Sequence, residues 1–294
     1  MTNGALYIIT QNQRYVDLLL GSAASLKRTM PDLPITVFSQ FPVESSLFEE
    51  VVTVKPTGSG FFDKCELMKR SPYERTLFID ADTSVIQPVP ELFSLLDHFD
   101  CAATHEEYVN TDWHNQYPRP DVPCSFPEFN TGLLMLKRSE RTLRLLEHWG
   151  ALYREHLQTK PDQPVNDQPF FRVAAYYGDA RIATLTREYN CKFRGQGYLN
   201  GTVKIVHGHV EFKLDPMFLG RAVKALNASV KPRVYIAGRV YEQKLVGRFV
   251  DRRKAKLSAR FPLLPEPGLW AEVKLLKRIL KQRRMRATQE ASAA

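Results

Sequence analysis

The chain is poor in cysteine, has no long apolar run, and over most of its length carries no net charge. Its four cysteines, Cys65, Cys101, Cys124 and Cys191, form no C-x-x-C pair and stand at no zinc-finger spacing with histidine. That excludes a disulfide scaffold and a structural zinc module, and predicts reduced thiols packed inside a cytoplasmic protein. No apolar stretch approaches the roughly 18 residues of a membrane span, and no basic segment leads into an apolar one at the start. Neither a spanning helix nor secretion is expected. Internal repeats and low-complexity tracts are absent too.

What charge there is sits at one end. Residues 1–240 hold 27 Lys and Arg against 27 Asp and Glu, whereas residues 241–294 hold 14 against 5, so the tail supplies the whole net charge of +9. A chain of 294 residues suffices for one large α/β domain with an appendage. The division expected is a domain over residues 1–220 and a basic extension over 221–294.

Along the body, apolar runs alternate with helical periodicity. Residues 6–10 read as a strand that ends in polar Gln11-Asn12-Gln13, residues 15–28 as a helix and residues 35–39 as a second strand, which is a β-α-β unit suited to a parallel sheet. A strand at 51–54, a loop at Gly58-Ser59-Gly60 and a helix at 62–69 follow. Further strands are expected at 100–104, 129–136, 182–185 and 203–206, with helices at 89–96, 140–157 and 166–177. Residues 105–128 hold four prolines and aromatics without periodicity, the mark of a long functional loop.

The most informative stretch is Leu77-Phe78-Ile79-Asp80-Ala81-Asp82-Thr83-Ser84-Val85, an apolar run broken by two carboxylates. Residues i and i+2 of a strand share a face, so Asp80 and Asp82 are expected to converge on one hard divalent cation at the carboxyl edge of a sheet. A solvated turn whose Asp side chains serve local hydrogen bonds is the alternative. Two enzyme classes place D-x-D after an apolar strand: haloacid-dehalogenase-like phosphatases and metal-dependent glycosyltransferases. The phosphatases carry the motif on their first strand and add an Asp-Asp or G-D-x-x-x-D motif later. Here the pair follows a full β-α-β unit and no such motif comes after it.

The order of further segments resembles the glycosyltransferases of the GT-A fold, most closely the family 8 type that includes glycogenin and bacterial lipopolysaccharide galactosyl- and glucosyltransferases. The markers, over about residues 5–215, are Tyr15 after the first polar loop, Gly21-Ser22-Ala23-Ala24-Ser25-Leu26, Lys64, Asp80 with Asp82, Phe129-Asn130-Thr131-Gly132, Asn166-Asp167-Gln168 and His207. The resemblance implies a mixed, mainly parallel central sheet flanked by helices, with a helical basic C-terminal extension. It implies a retaining transfer of a hexose from a nucleoside diphosphate sugar, most simply a UDP-sugar, to a glycan or glycolipid.

The resemblance also distributes roles. Asp80, Asp82 and His207 would hold Mn²⁺ or Mg²⁺, with His209 a rival for the histidine position, and the nitrogen ligand suits Mn²⁺. Thr10, Gln11, Asn12 and Tyr15 would receive the nucleoside, Tyr15 by stacking, while Lys64, Ala81 and Lys213 complete the donor site. Lys213 stands six residues after His207 as in the family's H-x-x-G-x-x-K, but Val210 replaces the glycine. Asn130, Asp167 and Gln168 would hold the transferred sugar, with Gln168 nearest the anomeric carbon. An amide is a poor nucleophile, which favours front-face transfer over a covalent intermediate. Were the transfer inverting, Asp112 or Glu128 would be the base to examine.

Tyr108, Trp113, His114, Asn115 and Tyr117 combine apolar faces with polar groups, as an acceptor sugar requires, although aromatics that merely cover the body would read alike. Leu269, Trp270, Val273, Leu276, Ile279 and Leu280 recur at helical spacing among Lys274, Lys277, Arg278, Lys281, Arg283, Arg284 and Arg286. A basic amphipathic helix of this kind in residues 265–294 suits an anionic membrane surface, making the protein peripheral on the cytoplasmic face. A helix docked on its own body is the alternative. No nucleic-acid module accompanies the charge, and no G-x-G-T-R loop of a nucleotidyltransferase is present. An inactive sugar-nucleotide-binding protein acting through its tail is the reading from outside enzymology.

Overall fold

The computed structural model of the chain describes residues 1–106, 119, 121–160, 165–208, 216–242 and 258–262. In chain order the first half comprises β1 (Asn3–Ile9), α1 (Arg14–Thr29), β2 (Ile35–Ser39), β3 (Glu50–Thr53), α2 (Gly60–Met68), β4 (Arg75–Ile79), β5 (Thr83–Val85), α3 (Glu91–Leu95) and β6 (Cys101–His105). Then come β7 (Phe129–Lys137), α4 (Glu140–Thr159), α5 (Gln168–Tyr177), β8 (Ile182–Leu185), β9 (Gln196–Leu199), β10 (Ile205–His207), α6 (Pro216–Leu226), β11 (Arg233–Ile236), β12 (Arg239–Glu242) and β13 (Ser258–Pro262).

Seven strands form the central sheet in the order β3-β2-β1-β4-β7-β6-β8, and β7 alone runs against its neighbours. This is the mixed, mainly parallel sheet flanked by helices that the sequence implies. Near-continuous apolar strands make sense here because both faces are covered. The period of two divides each strand between two cores: Ala5, Tyr7 and Ile9, Leu77 and Ile79, and Leu133 and Met135 meet Leu18, Leu19, Ala23 and Leu26 of α1. The intervening Leu6, Phe78, Leu134 and Leu136 face Cys65 and Met68 of α2, Trp149 and Tyr153 of α4, and Phe170 and Phe171 of α5. Fully burying side chains of this size contributes about 1.5–3 kcal/mol each, before the entropy of ordering them.

Where the sequence suggests one strand through residues 77–85, the structure has two. β4 ends at Ile79, residues 80–82 turn, and β5 leaves the central sheet to pair antiparallel with β10. The turn is held because the Asp80 N–H donates to the Gly132 carbonyl (2.8 Å) and the Thr83 hydroxyl donates to the Asp80 carbonyl (2.8 Å). Asp80 and Asp82 therefore converge through a turn and not through strand periodicity.

Beyond residue 190, β9, β11, β12 and β13 make a second, antiparallel sheet. The β11–β12 hairpin closes on Ala237 and Gly238 at φ 48° and 79°, the pair of left-handed residues that a two-residue hairpin of matching twist requires. Its core joins Cys191, Phe193, Val203 and Val206 with Ala222, Leu226 and Tyr235, so residues on both sides of 220 share one apolar cluster. The described part of the expected helical extension is helix only to Leu226 and strand thereafter. Residues 265–294 lie outside the described residues. No helix among the described residues is long and apolar enough to cross a membrane.

Candidate functional site

Three side chains meet where β4, β5 and β10 end. The register pairs His207 with Thr83, which sets the imidazole against the turn that carries the carboxylates. His207 Nε2 lies 3.3 Å from Asp82 Oδ1 and 3.9 Å from Asp80 Oδ2, and ligand atoms of the three residues all fall within 4.8 Å of one another. The Nδ1 of His207 is 2.8 Å from Asn190 Oδ1, an acceptor, so Nδ1 carries a proton and Nε2 is the nitrogen turned to the carboxylates. Burial opposes the charged imidazole, but Asp82 and Asp80 outweigh it and raise His207 above the usual histidine range. Burial likewise raises Asp80, against the pull of Lys64 and His207. Two oxygen donors, one oriented nitrogen and an excess of negative charge fit a divalent cation.

Close packing shapes this corner. A Cβ added to Gly132 on β7 would stand 2.2 Å from His207 Cε1 and 2.7 Å from Asp80 Oδ2. Behind the turn, a chain of buried hydroxyls has only one direction. Thr83 gives its proton to the Asp80 carbonyl, so it accepts from Ser22 (2.8 Å), which in turn accepts from Tyr7 (2.9 Å). Ser22 of the Gly21–Leu26 segment thus ties α1 to the turn.

Lys64 of α2 is almost wholly buried and reaches Asp80 Oδ1 at 3.3 Å, Asp167 Oδ2 at 3.5 Å and Thr131 Oγ1 at 3.4 Å. Burial works against its charge, but Asp167 and Asp80 prevail and raise its pKa. It also borders a cavity of about 460 Å³ at the carboxyl ends of β1 and β4, lined by Thr10, Gln11, Asn12, Tyr15, Phe61, Ala81, Asp80 and Asp82 among others. Gln11 sits there at φ 67°, inside a three-residue turn closed by Asn12 N–H to the Thr10 carbonyl (2.8 Å). A non-glycine residue in that region costs about 1–3 kcal/mol, and such strain concentrates at ligand sites. Two bonds impose it: Gln11 N–H to Gln40 Oε1 (2.9 Å) and Gln11 Nε2 to the buried Asp63 (3.1 Å).

Next to the cation corner lies a buried amide network. Asn130 Nδ2 donates to Glu106 Oε2 (2.8 Å) and to Gln168 Oε1 (3.0 Å), while its Oδ1 accepts from Gly132 N–H and from Asn190 Nδ2. Gln168 Nε2 donates to Glu106 (2.9 Å) and Glu128 (3.1 Å). Lys192 closes the network on Glu106 at 3.0 Å. Asn190 therefore connects the amides to the histidine.

No protein-family model and no curated protein matches this chain. Solved structures similar to it include mouse xyloside xylosyltransferase 1 in its apo form, at 15% identity over 71% of this chain and 99% of that one, with a TM-score of 0.48. The galactosyltransferase LgtC with donor and acceptor sugar analogues is similar at 13% identity over 63% of this chain and 74% of that one, TM-score 0.44. An active-site mutant of LgtC stands at 12% identity with the same coverage and a TM-score of 0.43.

Of the residues singled out from sequence, Thr10, Gln11, Asn12, Tyr15, Lys64, Asp80, Ala81 and Asp82 line one cavity. Asn130, Asp167, Gln168 and His207 are joined to it through Lys64 and the amide network. Tyr15 also packs on the core of α1, so it serves both surroundings. Lys213, His209, Tyr108, Asp112, Trp113, His114, Asn115 and Tyr117 lie outside the described residues. Sequence reasoning did not pick out Glu106, Asn190 and Lys192, and weighed Glu128 only as a base. The first Glu of Glu106-Glu107 after β6 and an Asn after Tyr189 carry no local signal.

Proposed function

We propose that the protein is a glycosyltransferase that moves a hexose from a nucleoside diphosphate sugar, most simply a UDP-sugar, to a glycan or glycolipid, with retention. The observation that supports it is the placement of the Asp80–Asp82–His207 corner between a nucleotide-sized cavity on one side and the Asn130–Gln168 amides on the other. A nucleoside enters beside Thr10, Gln11 and Asn12 with its base against Tyr15. Asp80, Asp82 and His207 would hold a cation, for which the mixed oxygen and nitrogen donor set suits Mn²⁺, and it would supply Lewis-acid neutralisation of the leaving diphosphate. Lys64 adds a fixed positive charge at the same end. Asn130, Asp167 and Gln168 hold the sugar. The Gln168 carbonyl oxygen favours the positive charge that develops on the ring, and an amide there is suited to front-face transfer and not to a covalent intermediate.

The test is a panel of nucleotide sugars, read by thermal stabilisation with Mn²⁺ and by product NMR at the anomeric centre. Wild type is stabilised by one or a few members and gives retained product, while Asp82→Ala loses both responses. If no nucleoside diphosphate sugar stabilises the wild type, or if Asp82→Ala responds equally, the proposal fails. Inversion at the anomeric carbon would overturn retention alone.

A further inference from the structure

Gln168 Nε2 has two N–H groups, and two carboxylates take them: Glu106 Oε2 at 2.9 Å and Glu128 Oε1 at 3.1 Å. On its other side, Oε1 accepts from Asn130 Nδ2 at 3.0 Å. Rotating the amide by half a turn would set its oxygen against both carboxylates and its nitrogen against a donor, so only one orientation is allowed. One lone pair of Oε1 remains for whatever the site binds.

The two carboxylates are not equivalent. Glu106 receives Lys192 (3.0 Å) and Asn130 (2.8 Å) besides Gln168, and so has a cation of its own. Glu128 is 2% exposed, and the charged groups acting on it among the described residues include Glu106, just past β6, and Asp167 and Arg172 at α5. Arg172 is a cation on that side, and its guanidinium donates to the carbonyls of Val122, Pro123 and Phe126. A base that takes a proton from an incoming hydroxyl needs access, which a side chain buried behind Gln168 does not have.

We propose that Glu128 is a positioning residue that acts through Gln168, its carboxylate locking and polarising the amide whose oxygen faces the transferred sugar. What that oxygen faces rests on the transferase reading above. The coupling between Glu128 and Gln168 does not. A negative charge behind the amide nitrogen draws electron density onto Oε1, which strengthens its interaction with a developing positive charge. Burial, with the Glu106 charge beside it, pushes Glu128 up to about 7, so the charge is present on the alkaline side of neutrality and absent below it.

The experiment uses the full chain labelled with ¹⁵N-glutamine, the Gln168 side-chain signals being identified by their loss in Gln168→Asn. In wild type these signals move with pH around a midpoint near 7, and in Glu128→Gln they stand still. The inference is overturned if they do not titrate in wild type or titrate alike in Glu128→Gln. Should Glu128→Gln not fold, Glu128→Asp serves: a displaced midpoint supports the coupling and an unchanged one refutes it. With a donor and acceptor in hand, Glu128→Gln lowers kcat about tenfold on the alkaline side, the scale of one pKa unit of differential interaction, and leaves the donor KM alone. Equal kcat in both proteins refutes the catalytic part. A wild type that transfers no sugar overturns the transferase reading, and the NMR titration still decides the coupling.

Discussion

Gly132 is the position at which the proposed cation site is most easily broken without touching a ligand. A methyl group there would stand 2.2 Å from His207 Cε1, 2.8 Å from Nε2 and 2.7 Å from Asp80 Oδ2, all well inside contact distance. The imidazole has little room to retreat, because it is buried and its Nδ1 is tied to Asn190 at 2.8 Å. Gly132→Ala is therefore expected to tilt His207 and displace Asp80, at an overpacking cost of about 1–3 kcal/mol to the metal-free protein. Misaligning a ligand weakens metal binding by about 10–100-fold. At a Mn²⁺ concentration near 100 times the wild-type Kd, metal contributes about 2.7 kcal/mol to wild type and, with a 100-fold weaker Kd, about 0.4 kcal/mol to the variant. In a thermal scan the metal-dependent rise in Tm falls from about 5–10 °C to about 1 °C. Gly21→Ala is the control: nothing lies within 4 Å of its added Cβ, and it sits inside α1. It should gain roughly 0.5–1 kcal/mol and keep the full metal response. The same metal-dependent rise in Gly132→Ala as in wild type would falsify the assignment of this corner.

Three further outcomes are expected. Lys64→Met leaves the buried Asp167 and the part-exposed Asp80 without their shared cation, and should cost about 3 kcal/mol in denaturant unfolding of the metal-free protein, chiefly through Asp167; a loss under 1 kcal/mol would mean the ion pairs are incidental. Glu128 binds its proton more tightly folded than unfolded, so its contribution is whole below pH 4.5 and is lost as pH rises to about 7, a fall of about 3 kcal/mol that Glu128→Gln should remove from the stability profile. An unchanged slope between those pH values in the variant would count against the buried carboxyl. From the sequence of the tail alone, full-length chain should pellet with anionic liposomes and a chain ending at residue 264 should not; equal pelleting would discard the membrane reading.

The parts of the fold that were legible from sequence are those whose signal is local. Continuous apolar runs announce β1, β2, β4 and β7 because each strand divides its side chains between two cores, and Leu6 beside Tyr7 or Phe78 beside Leu77 shows the division residue by residue. The carboxylate pair was legible as a pair, but its mechanism was not. Only the pairing of β5 with β10, more than a hundred residues later, turns residues 80–82 out of the central sheet. The second sheet was hidden for a related reason: β9, Gln196–Leu199, has no clean period of two, and its hairpin partner turns on Ala237-Gly238 in place of the usual Asn-Gly.

The site divides along the same line. Asp80, Asp82, Asn130, Gln168 and His207 are residues that carry chemistry by type, and their order along the chain was enough to group them. Glu106, Asn190 and Lys192 gain meaning only from contacts that span 86 residues to Thr104 and Glu106, 60 to Asn130 and 24 between Glu106 and Asn130. Asn190 is the sharpest case. Its two Nδ2 protons go to Thr104 and Asn130 and its Oδ1 faces His207, so a residue without signal in the sequence fixes which nitrogen of the histidine faces the carboxylates. The same residue sets the direction of the amide chain that ends on Gln168 and Glu128. A change at Asn190 would therefore disturb both the Asp80–Asp82–His207 corner and the Asn130–Gln168 amides, whereas a change at Asp82 should reach only the first. Comparing Asn190→Ala with Asp82→Ala by Mn²⁺ affinity and by the Gln168 amide signals separates them: both readouts should move in the former and only the metal readout in the latter.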